Sequence, residues 1–141
     1  MLGSTALVEH LVNKARPFIY DTGLAPAAAG GALAALRVLQ DEPERAAAAR
    51  ACTSALADAV RTARPAGAVL AVPTPGPREA LAAQAHCAKR GLRVGCFRPP
   101  STPDGSSRLR ITGRATLQGA ELDQVCRALA DSLADAFGDA G

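Results

Sequence analysis

An α+β fold, with a short, mostly antiparallel sheet covered by helices, is predicted for the second half of this 141-residue chain. Three observations predict it. From residue 68 onward the apolar patterns run strand, helix, strand, strand, helix, which packs most simply as helices on one face of a small sheet. Arg108-Leu109-Arg110-Ile111-Thr112 alternates with period two, so Arg108, Arg110 and Thr112 share one strand face and Leu109 and Ile111 the other. Pro-rich and Gly-rich punctuation at 65–67, 73–77 and 98–105 separates the elements cleanly. The first 40 residues differ: they read as helix, extended segment and helix, with no strand partner, and such a segment needs a surface to lie on.

The elements follow in order. Thr5 to Ala15 is predicted as a helix, because Leu7, Val8, Leu11 and Val12 form one apolar stripe, with Ser4 as its N-cap. Pro17 ends it. Phe18-Ile19-Tyr20 reads as extended and Asp21-Thr22-Gly23 as a turn. Pro26 fits the first turn of a second helix that continues to Gln40. Gly30-Gly31 inside it costs about 1 kcal/mol per glycine relative to alanine, which suggests either a close backbone neighbour or simply a poor helix.

Asp41-Glu42-Pro43-Glu44 breaks that helix and opens a third, with acids at the positive end of the helix dipole. The third helix is predicted from Glu44 to Arg64, stopped by Pro65-Ala66-Gly67. Ala68 to Val72 is an apolar strand, Arg78 to Arg90 a helix closed by Gly91, and Leu92 to Phe97 the next strand. The last helix starts near Gly119 and carries Leu122, Val125, Cys126, Leu129 and Leu133 on one face.

The loop before the arginine strand is the most informative stretch. In Arg98-Pro99-Pro100-Ser101-Thr102-Pro103 the prolines fix φ and remove backbone donors, so the segment is extended and stiff; Asp104-Gly105 then turns the chain. A guanidinium held on a strand beside a rigid loop suits bidentate capture of a carboxylate. The alternative is a solvated strand whose arginines meet only water and surface acids.

Composition narrows the function classes. Hydrophobic residues make up 48% and charged residues 21%, which is globular rather than disordered. The net charge is +3 with both signs interspersed, and aromatics are only 3%, so neither a nucleic-acid surface nor a stacking platform for single strands is expected. Cys52, Cys87, Cys96 and Cys126 are widely spaced without a Cys-x-x-Cys pair; they read as buried thiols of a reducing cytoplasm, with no metal site. His86 and Cys87 are neighbours on a helix and point different ways, so they form no dyad. No signal peptide or membrane span is expected.

Two stretches resemble one family. Arg98-Pro99-Pro100-Ser101-Thr102-Pro103-Asp104-Gly105-Ser106-Ser107-Arg108-Leu109-Arg110 is similar to the C-terminal signature of the α-oxoamine synthases, pyridoxal-phosphate enzymes of the fold-type-I aminotransferase superfamily. Ala15 to Pro26 resembles the same family's segment after its cofactor lysine. The resemblance implies that residues 1–43 are the end of a large cofactor domain with a connecting helix, and that residues 44–141 are the small C-terminal α+β domain. It also implies an acyltransferase that works as a homodimer with pyridoxal 5'-phosphate. The nearest branch condenses L-alanine with pimeloyl-CoA or pimeloyl carrier protein; branches acting as 2-amino-3-oxobutyrate ligases or 5-aminolevulinate synthases share the signature. By this resemblance Arg110 holds the substrate carboxylate, Ser101 contacts substrate, and Arg98 borders the acyl thioester. Thr22 and Asp21 correspond to hydroxyl residues reaching the cofactor phosphate of the partner subunit. Asp21 departs from the usual Ser or Thr, and its carboxylate would be repelled by a phosphate dianion.

The family's Schiff-base lysine has no counterpart: the only lysines are Lys14 and Lys89, neither in a matching context, and Leu2-Gly3-Ser4 looks like the tail of the segment that follows it. The expectation is therefore a C-terminal fragment that is inactive alone. A non-catalytic α+β module binding an anion or a partner protein is the alternative from a different class.

Overall fold

The structure is a computed structural model and describes residues 3–15 and 23–138. The chain divides into two units, Met1–Asp41 and Glu42–Gly141. In the first, α1 spans Thr5–Lys14 and α2 spans Pro26–Asp41. Ser4 caps α1, its hydroxyl accepting from the Leu7 N–H at 3.4 Å. Neither helix buries any residue. Leu7, Val8 and Val12 on α1 and Leu33, Leu36 and Leu39 on α2 are all exposed, although isolated helices of this length are marginal in water without a packed face. A Cβ built on Gly30 or Gly31 meets nothing within 4 Å, so among the described residues no close backbone explains that pair.

The second unit contains α3 (Glu44–Ala59), β1 (Val69–Thr74), α4 (Pro77–Lys89), β2 (Gly95–Phe97), β3 (Ser107–Thr112) and α5 (Gly119–Gly138). The strands form one antiparallel sheet in the order β1-β3-β2, so the arginine strand is central. In register, Arg110 lies between Ala71 and Gly95, and Arg108 between Pro73 and Phe97. Leu70, Val72, Leu109 and Ile111 point inward and join Cys52, Leu56, Leu129 and Leu133 from the helices in one core. Leu109 is fully buried while Arg110 beside it is exposed, as the period-two pattern requires.

Gly113 sets how closely α3 approaches the end of β3. A Cβ there would lie 2.1 Å from Thr53 Oγ1 and 3.1 Å from the Ala49 oxygen, inside van der Waals contact. The Thr53 hydroxyl donates to the Ala49 carbonyl at 2.9 Å and is thereby satisfied within its own helix.

The elements differ from expectation at three boundaries. The third helix stops at Ala59 rather than Arg64, because Arg61 takes a left-handed φ of 54°. The Thr62 N–H then reaches back to the Ala57 carbonyl and the Arg61 N–H to that of Asp58, a Schellman-type ending. Beyond it, Arg64 folds back onto Asp58 with bonds of 2.7 and 2.6 Å. Gly91 ends α4 in the same way, at φ 78°. The strand expected from Leu92 begins only at Gly95: the Leu92 N–H closes the helix on the Cys87 carbonyl, and Gln84 Nε2 occupies the Val94 carbonyl at 2.9 Å. Conversely, β1 runs through Pro73 to Thr74, which an edge strand tolerates.

The thiols are only partly as expected. All four are free; Cys52 and Cys87 are buried, whereas Cys96 and Cys126 are half-buried, because they lie at the margin of the core rather than within it. Cys87 is buried, whereas His86 is half-buried and lies 3.6 Å from the Asp135 carboxylate, which accepts from Arg90 at 2.6 Å. No helix among the described residues is long and apolar enough to cross a membrane, and no metal-holding cluster of His, Cys, Asp or Glu occurs among them.

Candidate functional site

The outer face of the sheet, away from the core, carries a groove of about 450 Å³. Its floor is the outward-facing set of the three strands: Val69 and Ala71 from β1, Arg108 and Arg110 from β3, and Phe97 from β2. Its wall is the proline loop, contributed by Ser101, Thr102, Pro103 and Asp104.

The loop is held by its own short-range chemistry. The Ser101 N–H donates to the Arg98 carbonyl at 2.9 Å, which turns the chain back after β2. Thr102, one residue along from the expected contact residue, is the buried hydroxyl; it donates to the Ser106 carbonyl at 2.7 Å and ties the two ends of the loop together. Asp104 accepts from the Ser106 hydroxyl at 2.8 Å and from the Ser106 N–H at 3.2 Å. Arg108 donates to both Asp104 and the Ser106 hydroxyl. Together the Ser106 hydroxyl, the Arg108 guanidinium and the Ser106 N–H hold the Asp104 carboxyl down at about 2.

These bonds separate two arginines that look equivalent in sequence. Arg108 is committed to Asp104. Arg110 enters none of the ion pairs among the described residues, stays exposed, and faces the groove with only the small residues Ala71 and Gly95 across from it. A Cβ at Gly95 would lie 3.1 Å from the Phe97 ring and 3.5 Å from the Arg110 Cβ, so glycine keeps the space beside the arginine open. The result is one available guanidinium over a largely apolar floor, which suits a small carboxylate bearing an apolar substituent.

Of the residues singled out from sequence, Arg110 and Ser101 share this groove. Arg98 is exposed at the loop entrance and does not line it. Thr22 and Asp21 lie outside the described residues. The Asp104–Ser106–Arg108 cluster and the Thr102 tie were not read from the sequence; the Asp-Gly turn with an arginine four residues after the aspartate was a usable signal for the first, and nothing marked which loop hydroxyl would be buried. Neither lysine is among the residues that line the groove; the charged donor that faces it is the Arg110 guanidinium, which fits an anion.

The family model described as aminotransferase class I and II matches residues 1–129, and the chain belongs to that family. More particularly, it is 55% identical over 134 residues to the 8-amino-7-oxononanoate synthase of Mycobacterium sp. (strain JLS), covering 94% of this chain and 35% of that protein. It is 50% identical over 135 residues to the enzyme of the same name from Mycobacterium bovis, covering 95% of this chain and 35% of that protein. The chain thus spans about a third of the length of the curated relatives it matches. Among solved structures, the Sphingomonas wittichii serine palmitoyltransferase superposes with a TM-score of 0.80 at 23% identity, over 98% of this chain and 36% of that one. The Francisella tularensis 8-amino-7-oxononanoate synthase gives 0.72 at 20% identity, over 98% and 41%. At these identities the structural likeness defines the fold: the helix-covered antiparallel sheet is the one found in both.

Proposed function

We propose that this chain is the carboxylate-binding, C-terminal part of an 8-amino-7-oxononanoate synthase, the biotin-pathway transferase that joins L-alanine to pimeloyl-CoA or pimeloyl carrier protein with loss of carbon dioxide. The observation that carries the reading is the Arg110 guanidinium, which faces the groove and enters no ion pair among the described residues; by the resemblance it answers to the family's carboxylate-holding arginine. The 55% identity to a protein of that name supports the choice of branch.

Pyridoxal 5'-phosphate supplies the electron sink for such a condensation, and it would be held by the remainder of the enzyme, since the groove contains no lysine. This chain's residues bind and orient. Arg110 grips the alanine carboxylate through its paired N–H donors, and the apolar floor of Val69, Ala71 and Phe97 excludes water from beside it. Ser101 offers a hydroxyl from the loop to the bound substrate, and Arg98 stands at the entrance for the thioester. Thr22, with Asp21 before it, contributes to the phosphate site of the partner subunit in a cytoplasmic homodimer. Residues 1–43 belong with the large cofactor domain in this reading, residues 44–141 form the small domain, and the chain alone is inactive.

The test joins this chain to the matching upstream part of the Mycobacterium relative and follows alanine-dependent release of thiol from pimeloyl-CoA. Replacing Arg110→Ala should raise the KM for alanine about 10- to 100-fold, the loss of one charge-assisted bidentate contact. An unchanged KM, or a preference for glycine over alanine in the parent enzyme, would overturn the assignment.

A further inference from the structure

We propose that the end of the sheet, where β2 parts from β3, is a binding site for a free aliphatic carboxylate of medium chain length. β2 pairs Phe97 with Arg108 and Gly95 with Arg110, and the pairing goes no further. Residues 92–94 therefore stand off from Ile111 and Thr112 at the end of β3. The parting is held by bonds already described: the Leu92 N–H closes on the Cys87 carbonyl, and the Val94 carbonyl accepts from Gln84. Between these walls, with α5 and α3 beneath, lies a cavity of about 410 Å³, within the size range of small-molecule sites. It shares no lining residue with the groove of Arg110. Ile111, which lines it, lies on the opposite face of β3 from Arg110.

The cavity is aliphatic within and charged at its rim. Leu56, Ile111, Leu117 and Leu129 line its interior and are at most 9% exposed, so a hydrocarbon chain seated on them leaves water. Arg93, Arg114 and Glu121 stand exposed at the rim, and none of the three enters an ion pair among the described residues. Two cations against one anion leave a single positive charge, which a monoanionic head group complements. A carboxylate matches a guanidinium fork in geometry as well as charge. Glu121 disfavours a dianion at the same rim, and the aliphatic interior gives a bare inorganic anion nothing to contact. An uncharged chain would fill the interior but leave both arginines unused. The occupant that uses both parts carries one carboxylate on an unbranched hydrocarbon chain. This site does not depend on the function proposed above, because neither Arg110 nor Ser101 belongs to it.

Titration of the 141-residue chain with octanoate, 1-octanol and acetate, followed by calorimetry and by methyl NMR, tests it. Octanoate should saturate one site and shift the methyl resonances of Ile111 and Leu117, while those of Val69 in the Arg110 groove stay in place. Octanol lacks the charge and acetate lacks the chain, so each should bind at least about tenfold more weakly. Arg93→Ala and Arg114→Ala should each weaken octanoate about tenfold; both side chains are exposed, so the core is left intact. Glu121→Gln should tighten octanoate about two- to threefold by removing a like charge, and Arg110→Ala should leave it within about twofold, since Arg110 lines only the other groove of the two. Octanoate that does not saturate, octanol or acetate binding as tightly as octanoate, or methyl shifts centred on Val69 would each overturn the proposal. So would unchanged affinity in both rim arginine variants, or loss of octanoate binding in Arg110→Ala. The carboxylate reading of Arg110 is tested by the KM for alanine, so the two can fail separately.

Discussion

Replacing Gly113→Ala should destabilise the second unit by forcing α3 away from the strand that carries Arg110. The added Cβ would lie 2.1 Å from Thr53 Oγ1 and 3.1 Å from both the Ala49 oxygen and the Thr53 nitrogen. Thr53 is fully buried, so its side chain has no solvent to swing into, and two of the three clashing atoms are backbone. Overpacking of this kind costs about 2 kcal/mol, and displacing the Thr53 hydroxyl from Ala49 adds about 1 kcal/mol. For a unit of this size about 3 kcal/mol corresponds to a fall in Tm of roughly 12–24 °C. Gly113 is not in the left-handed region, so the cost is steric and should respond to the opposing side chain. Thermal unfolding followed by circular dichroism would measure Gly113→Ala, Thr53→Ala and the double variant. The double variant should recover part of the loss, since the shortest contact is gone, but not all of it, because the backbone contacts at 3.1 Å remain. A melting point within a degree or two of the parent, or a double variant no better than the sum of the singles, would refute the close-approach reasoning.

Two further outcomes follow from the titrating groups. The folded carboxyl of Asp104 lies at about 2, below its unfolded value, so its contribution to stability is complete above about pH 4 and is lost as the pH falls toward 2; a carboxyl carbon resonance for Asp104 with a midpoint near 4 would refute the cluster, and Asp104→Asn should remove the dependence. Burial pushes the Cys87 thiol up, with the Ser132 hydroxyl and Arg90 opposing it only in part, so little thiolate forms near neutral pH; Ellman's reagent should leave Cys87 unmodified in the native chain and reach it on unfolding, and rapid native labelling at that residue would contradict its packing.

What could be read from the sequence was whatever a local period or a single rigid residue dictates. The alternation at Arg108–Thr112 put the arginines outward, Pro26 and Gly91 marked helix ends, and the apolar stripe of Leu7, Val8, Leu11 and Val12 marked α1 as a helix. The boundaries that failed are tertiary or exceptional. Arg61 holds a left-handed conformation that its residue type does not announce, and the early part of the second strand is lost to a glutamine side chain ten positions away. The site divided in the same manner. Arg110 was legible as an outward guanidinium, but its availability depends on Asp104 having chosen Arg108, a decision made by the fold of the loop rather than by either residue alone. The role of Gly113 was hidden because its partner, Thr53, is sixty positions distant in the chain.

The central place of β3 has a consequence for how such a site can diversify. Arg110 is anchored by neighbours on both sides, while the residues across from it, Ala71 and Gly95, belong to the two flanking strands. Anchor and mould are therefore encoded at different positions. A lineage can widen, narrow or tilt the space around the charge by drifting at 71 or 95, and the charge itself stays where the ladder puts it. Gly95→Ala, which asks the Phe97 ring to give way by a few tenths of an ångström, is the smallest such step.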